Sequence, residues 1–160
     1  MKKCSLLVIL ALLFLGLFLA PSVAVDSPDL KAIKDRGVLR VGVKIDVPKF
    51  GYKNPKSGKI DGFEVDLAQA VAKKILGKKG RIQLQAVNAK TRGPLLDNGE
   101  IDIVAATFTI TEERKQTYNF SEPYFTDGVG LMVKRAAKIR SLRDLDGKRI
   151  GVAQSATTKR

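Results

Sequence analysis

Thr107, Thr109, Thr111 and Arg114 fall in one short stretch, Ala106-Thr107-Phe108-Thr109-Ile110-Thr111-Glu112-Glu113-Arg114. It follows directly on the apolar run Ile101-Asp102-Ile103-Val104-Ala105. The run predicts a strand. Thr111 followed by Glu112 and Glu113 predicts a helix N-cap with acid in the first turn. Hydroxyls, free backbone N–H groups and one guanidinium therefore gather at a strand's carboxyl end. Open α/β sheets bind ligands at that place, and a helix start favours an anion there. An arginine clamps a carboxylate through two parallel hydrogen bonds. The chemistry indicated is capture of a small carboxylic acid rather than its conversion. The plainer readings are that Thr111 only caps the helix and that Arg114 only pairs with Glu113.

Composition removes several alternatives. The chain has no histidine, and Cys4 is its single cysteine. A zinc site and a histidine general base are thereby excluded, and with them most hydrolase mechanisms. Paired carboxylates for glycoside chemistry need a cleft and a raised pKa. Glu64, Asp66 and Asp102 read instead as solvated or capping acids. No enzyme activity, metal or cofactor is expected. The formal charge is +13. Its lysines are spread along the chain, which reads as a solvated basic surface rather than a polyanion-binding patch.

The first residues set the compartment. Lys2 and Lys3 precede an uncharged apolar run from Leu6 to Ala20, and Pro21-Ser22-Val23-Ala24 closes it with small residues. This is the pattern of a secretory signal peptide, with cleavage expected near Ala24. The run is short for a membrane span, which takes about 20 apolar residues. Cys4 lies before the run and leaves with it. Export argues further against a nucleic-acid partner.

The elements that must position the threonine-rich turn follow in order. Ser27-Pro28 starts a short helix, with Leu30 and Ile33 facing inward, and Gly37 ends it. Val38 to Val43 alternates and is β-branched, so it predicts a strand. Phe50-Gly51-Tyr52 and Lys59-Ile60-Asp61-Gly62 flank the turn cluster Asn54 to Gly58 and predict a hairpin. Phe63 to Leu76 predicts an amphipathic helix with Leu67, Ala68, Val71, Ala72 and Ile75 on one face. A strand is expected over Ile82 to Val87, a short helix from Arg92 to about Asn98, a strand over Ile101 to Ala105, and a helical turn over Thr111 to Thr117. Further strands are expected over Gly128 to Val133 and Lys148 to Ala153, with a connector at Lys134 to Lys138 and a short helix at Leu142 to Leu145. Phe50, Tyr52, Tyr118 and Phe120 are expected in packing. Strands alternating with helices predict an α/β fold with a mainly parallel sheet. The polar turn Gln154 to Thr158 opens where a helix would start, so the sequence reads as a piece of a longer two-lobed protein.

Six segments in order carry a family resemblance: Gly37 to Val43, Gly62-Phe63-Glu64-Val65-Asp66-Leu67, Asn98-Gly99-Glu100-Ile101-Asp102, Thr109 to Arg114, Phe120-Ser121-Glu122-Pro123-Tyr124 and Gly151 to Thr158. Together they resemble the exported amino-acid-binding proteins of ATP-driven uptake systems, the polar-amino-acid branch of the bacterial solute-binding proteins. The resemblance implies the periplasmic-binding-protein-like II fold: two α/β lobes with the ligand in the cleft between them. It implies a signal peptide over 1–24, a first lobe over 25–133 that needs a returning C-terminal segment, and the start of a second lobe over 134–160. It implies a periplasmic monomer that hands an amino acid to an inner-membrane ABC permease with its ATPase.

The resemblance also implies roles for particular residues. Arg114 would bind the ligand's α-carboxylate, Thr109 would bind through hydroxyl and N–H, and the Thr107 carbonyl would take the ammonium. In the second lobe Thr158, with Thr157, would close on the carboxylate, and Gln154 would stand at the edge of that turn. The family's ammonium-binding aspartate would lie past Arg160. Many members place an acid at the end of the first strand, where this chain has Lys44. A lysine pairs with a second carboxylate. With Arg92 beside the same cleft, it points to aspartate or glutamate, unless both are surface cations. The family's Pro-Pro-Phe is Val47-Pro48-Lys49-Phe50 here. Half a cleft leaves the ligand exposed, so weak binding is expected of residues 25–160. The same fold also hosts exported dehydratases of the cyclohexadienyl type and the sensing domains of membrane receptors.

Overall fold

The structure is a computed structural model that describes residues 27–157. The expected leader over 1–24, Cys4 and Thr158 lie outside the described residues. Helix α1 (Pro28–Arg36) begins as its sequence demands: the Ser27 hydroxyl accepts from the Leu30 N–H, and Pro28 opens the first turn. It ends at Gly37, whose φ of 69° lets its N–H turn back to the carbonyls of Ile33 and Lys34.

Strand β1 (Val38–Val43) is the centre of the molecule. Leu39, Val41 and Val43 are fully buried. It runs between β5 (Arg81–Ala86) and β6 (Ile103–Ala105), parallel to both, in a three-stranded sheet of order β5-β1-β6. A parallel sheet is covered on both faces, and two apolar clusters do this. On one face helix α2 (Phe63–Leu76) lays Val65, Ala68 and Ala72 against Leu39, Val41, Val43 and Ala105. On the other, Val87, Ile101 and Ala106 pack with Leu95 and Leu96 of helix α3 (Arg92–Asp97). Gly42 lies against this second cluster, where a Cβ would come within 2.6 Å of Ile101 Cδ1.

Between β1 and α2 the chain makes a small antiparallel sheet of β2 (Asp46–Val47), β3 (Gly51–Lys53) and β4 (Ile60–Asp61). The Asn54 side chain closes its turn by accepting from the N–H groups of Lys56 and Ser57. The hairpin ends at Gly62, with φ 130° and ψ 174°, a region open essentially to glycine alone. The Phe63 and Glu64 N–H groups then donate to the carbonyls of Lys49 and Phe50. Two otherwise orphaned donors of the helix start are thus satisfied by the loop it follows.

Two sequence expectations fail here. Glu64 and Asp102 are not solvated acids. Glu64 has no exposed surface. Asp102, at the entry to β6, accepts from the Arg40 backbone N–H at 2.8 Å and from its Nη2 at 2.7 Å, and it also pairs with Arg36. Burial alone would raise the Asp102 carboxyl. The hydrogen bonds from Arg40 and the charges of Arg36 and Arg40 outweigh it and hold the group below the ordinary carboxylate range.

The other failure lies beyond β6. After Ala105 no strand forms among the described residues. The stretches 128–133 and 148–153 have the composition of strands, but Val129 is 70% and Met132 99% exposed. A strand needs a neighbour for its N–H and C=O groups, and no described strand lies alongside. Short 3-10 turns form at Arg135–Ala137 and Leu142–Leu145. The segment leaving the sheet is anchored by rings: Phe125 meets Phe50 edge-on at 4.9 Å, and Tyr124 lies 5.9 Å from Phe63. Phe50 is therefore a packing residue, as expected.

Candidate functional site

At the carboxyl end of β6 the chain turns sharply. Thr107 has φ of 46°, the left-handed region that a β-branched residue rarely enters. Phe108 follows, and then Thr109 to Thr111 lead into helix α4 (Glu112–Lys115). Thr111 is the N-cap: its hydroxyl accepts from the Arg114 N–H at 3.2 Å, with Glu112 and Glu113 in the first turn. The capping reading of Thr111 holds, but the helix is a single turn and carries little macrodipole.

The turn borders a cavity of about 460 Å³, the size of a small-molecule site. It is lined by Ala89 and Lys90 ahead of α3 and by Gly93 and Pro94 within it. Phe108, Thr111, Glu113, Arg114 and Tyr118 also line it, and Ser155, Ala156 and Thr157 complete the lining. Gly93 is buried, and a Cβ there would meet Tyr118 Oη at 2.6 Å. Tyr118 donates to Asp97 at 3.0 Å; burial, then that bond, raises its hydroxyl above the ordinary value. Its ring and that of Phe120 both lie against Phe108.

Arg114 lies in the wall of this cavity. Its Nη1 donates to the Thr109 carbonyl at 2.7 Å and its Nη2 to the Ser155 carbonyl at 2.9 Å. Its guanidinium carbon stands 4.5 Å from the centre of the Phe108 ring. Arg92 leans on the same ring at 4.2 Å. Arg92 is only 4% exposed, and its Nη1 donates to the carbonyls of Ala106 at 2.7 Å and Thr107 at 3.0 Å. Burial, and next the charge of Arg114, push its pKa down to about 10, against the opposing pull of Glu64 and Tyr124.

The sequence-derived site residues thus divide. Arg114 and Thr157 line the cavity. Thr109 is tied to it through its carbonyl on Arg114. Arg92 and Thr107 sit just behind Phe108 and bond to each other, with the Thr107 carbonyl already accepting from Arg92. Gln154 is exposed and not part of the lining. Lys44 does not line the cavity either; its ammonium pairs with Asp46 at 2.9 Å. Asp46 is two residues on, and the sequence reading did not weigh it. That reading also missed Phe108, which both guanidiniums touch, and Glu64, which lies behind the turn. The signal for Glu64 was available: with Ala68 and Ala72 it falls at i, i+4, i+8 on the buried stripe of α2. Among the described residues no cluster of side chains could hold a metal ion.

A parallel sheet with a helix on each face, and a cationic turn bordering a cavity beyond the strands' carboxyl ends, define a solute-binding lobe. The chain belongs to the bacterial extracellular solute-binding proteins, family 3, whose description fits residues 39–158. It is 53% identical over 116 residues to the glutamine-binding protein of Geobacillus stearothermophilus, covering 72% of this chain and 44% of that protein. It is 50% identical over 116 residues to the ABC transporter glutamine-binding protein GlnH of Bacillus subtilis, covering 72% of this chain and 42% of that one. Among solved structures it resembles the arginine-bound form of domain 1 from TmArgBP, of T. maritima, at a TM-score of 0.54 and 38% identity, over 64% of this chain and 74% of that domain. The chain therefore spans less than half the length of these two glutamine-binding proteins. These relatives are solute-binding proteins, not enzymes, and the α/β fold expected from the sequence is theirs.

Proposed function

We propose that this chain supplies the carboxylate-gripping lobe of an exported receptor that captures a polar amino acid and delivers it to an ABC permease in the membrane. In this reading residues 1–24 are a cleaved signal peptide, 25–133 form the first lobe and 134–160 begin the second. The observation that carries it is Arg114, whose guanidinium stands in the cavity wall with a carbonyl on each terminal nitrogen. A ligand carboxylate takes the place of the Ser155 carbonyl and accepts the freed N–H. Thr109 lies beside that anion, and Thr157, with Thr158 next to it, completes the grip. Lobe closure over the bound zwitterion follows the hinge pattern of such receptors.

The amino acid is glutamine in the first reading. The identity to two glutamine-binding proteins supports it, and so does the pairing of Lys44 with Asp46, which leaves little net charge to attract a side-chain carboxylate. Aspartate or glutamate is the second reading. It is favoured by the position of Lys44 at the end of β1, with its side chain only 14% exposed, and by Arg92 behind the turn. The arginine-bound single domain of TmArgBP supports binding by one lobe, against the expectation that half a cleft binds weakly. Calorimetric titration of the full chain with glutamine, glutamate, aspartate, histidine and arginine tests the reading. Glutamine heat with a dissociation constant of about 1 mM or tighter supports it. No heat from any of the five overturns it.

A further inference from the structure

Behind the turn, and outside the cavity, lies a buried polar knot. Glu64 has no exposed surface, and its Oε1 accepts from the Thr107 N–H at 2.6 Å and from the Tyr124 hydroxyl at 2.6 Å. Arg92 holds the other side of the same residue through the Thr107 carbonyl, at 3.0 Å. Both N–H and C=O of Thr107 are thus tethered to buried charged side chains. Each of those side chains keeps one buried atom without a hydrogen-bond partner among the described residues, Glu64 Oε2 and Arg92 Nε.

This arrangement is poor for stability taken alone. A buried carboxylate and a buried guanidinium, each only partly satisfied, are outdone by apolar side chains of the same volume. What they hold is, among the described residues, the one β-branched residue with a left-handed backbone: Thr107, at φ 46°. Such strain persists only where the surroundings over-determine it, and it gathers at functional turns. Phe108 is the next residue; it lines the cavity, and the guanidiniums of Arg92 and Arg114 both lie on its ring.

We propose that Glu64 is a positioning residue for the amino-acid site: with Arg92 it clamps the Thr107 peptide from both ends, fixing the left-handed turn that presents Phe108 and, through it, Arg114 to the ligand. The proposal rests on the site reading given above. Tyr124, on the segment that leaves the sheet, shares the same carboxylate oxygen, so the clamp also ties that segment to the turn.

The test compares Glu64→Met and Glu64→Gln, each alone and each combined with Thr107→Gly, in the full chain. Amide hydrogen exchange needs no ligand. Glu64→Met removes the acceptor and should speed exchange of the Thr107 amide by about tenfold or more relative to Val41 and Val43. Glu64→Gln offers a neutral acceptor and should speed it by about threefold. If Glu64→Met does not fold, the Glu64→Gln result decides alone. The second readout is glutamine affinity. Glu64→Met should weaken it about tenfold when Thr107 is kept. In the Thr107→Gly background the loss should be less than about threefold, because glycine enters φ > 0 without strain. Unchanged protection of the Thr107 amide overturns the clamp, as does an equal loss of affinity in both backgrounds. If the wild-type chain binds none of the amino acids, the site reading falls, while the exchange measurement still decides the clamp.

Discussion

Arg114 and Ser155, which both line the cavity, are joined by a hydrogen bond of 2.9 Å from guanidinium Nη2 to backbone carbonyl. The other terminal nitrogen holds the Thr109 carbonyl at 2.7 Å. The fork that would grip a carboxylate therefore holds two peptide oxygens. In the proposed binding a charged carboxylate replaces a neutral carbonyl as acceptor, and charge-assisted hydrogen bonds are about twice as strong as neutral ones.

Arg114→Ala should abolish binding of every amino acid, with a loss of about 30-fold or more, the range for removing one partner of a hydrogen-bonded charge pair. Arg114→Lys should restore little, because an ammonium lacks the planar fork. Calorimetry on folded variants checks both, and near-normal affinity in Arg114→Ala would place the site elsewhere.

Lys44 decides between the two ligand readings. If Asp46 neutralises it, Lys44→Ala should change the ratio of glutamine to glutamate affinity by less than about twofold, while Asp46→Asn should improve glutamate several-fold relative to glutamine. A large loss of glutamate binding in Lys44→Ala would favour the acidic ligand. Competition titration of the three proteins gives the answer.

Asp102 should make the lobe acid-sensitive. Its carboxyl is held below the ordinary range in the folded state, so its contribution is fully present above the unfolded value of about 4 and is lost as pH falls through the depressed folded value. Arg36 and Arg40 are about 30% exposed, with side-chain values of 31% and 29%, so solvent screening trims the effect. Asp102→Asn should cost about 1–2 kcal/mol at pH 7 and flatten the fall in urea-denaturation stability between neutral and acid pH. An unaltered pH profile in the variant would assign the acid sensitivity to other groups.

Gly62→Ala should be among the most damaging substitutions in the lobe. The backbone at φ 130° and ψ 174° costs a non-glycine residue about 1–3 kcal/mol. In addition a Cβ would run into the Phe50 carbonyl oxygen, which is backbone and cannot step aside. Thermal unfolding of the variant measures this, and a midpoint within a degree or two of wild type would contradict the close approach.

What was legible in the sequence followed from local rules. The bounds of α1, β1 and α2 came from capping residues, alternation and helical spacing, and Arg114 and Thr111 came from one cap and its neighbours. What was not legible depended on partners far along the chain. Nothing near Asp102 indicates that Arg40, on a neighbouring strand, will claim it. Nothing near Glu64 indicates that Thr107 and Tyr124 will converge on one of its oxygens. For Lys44 the acid that pairs with it, Asp46, stands only two residues on. The stretches 128–133 and 148–153 show the converse case: strand-like composition does not make a strand where no neighbour completes the hydrogen-bond ladder.

Phe108 has one further consequence. Because two cations lean on a single ring, replacing that ring disturbs both, and removing either cation changes the seat of the other. Single substitutions at 92, 108 and 114 will therefore each claim overlapping parts of the same recognition energy, and their sum will overstate it. Only a full set of double replacements can apportion the proposed grip, and redesign of the proposed site must treat the trio as one inseparable unit.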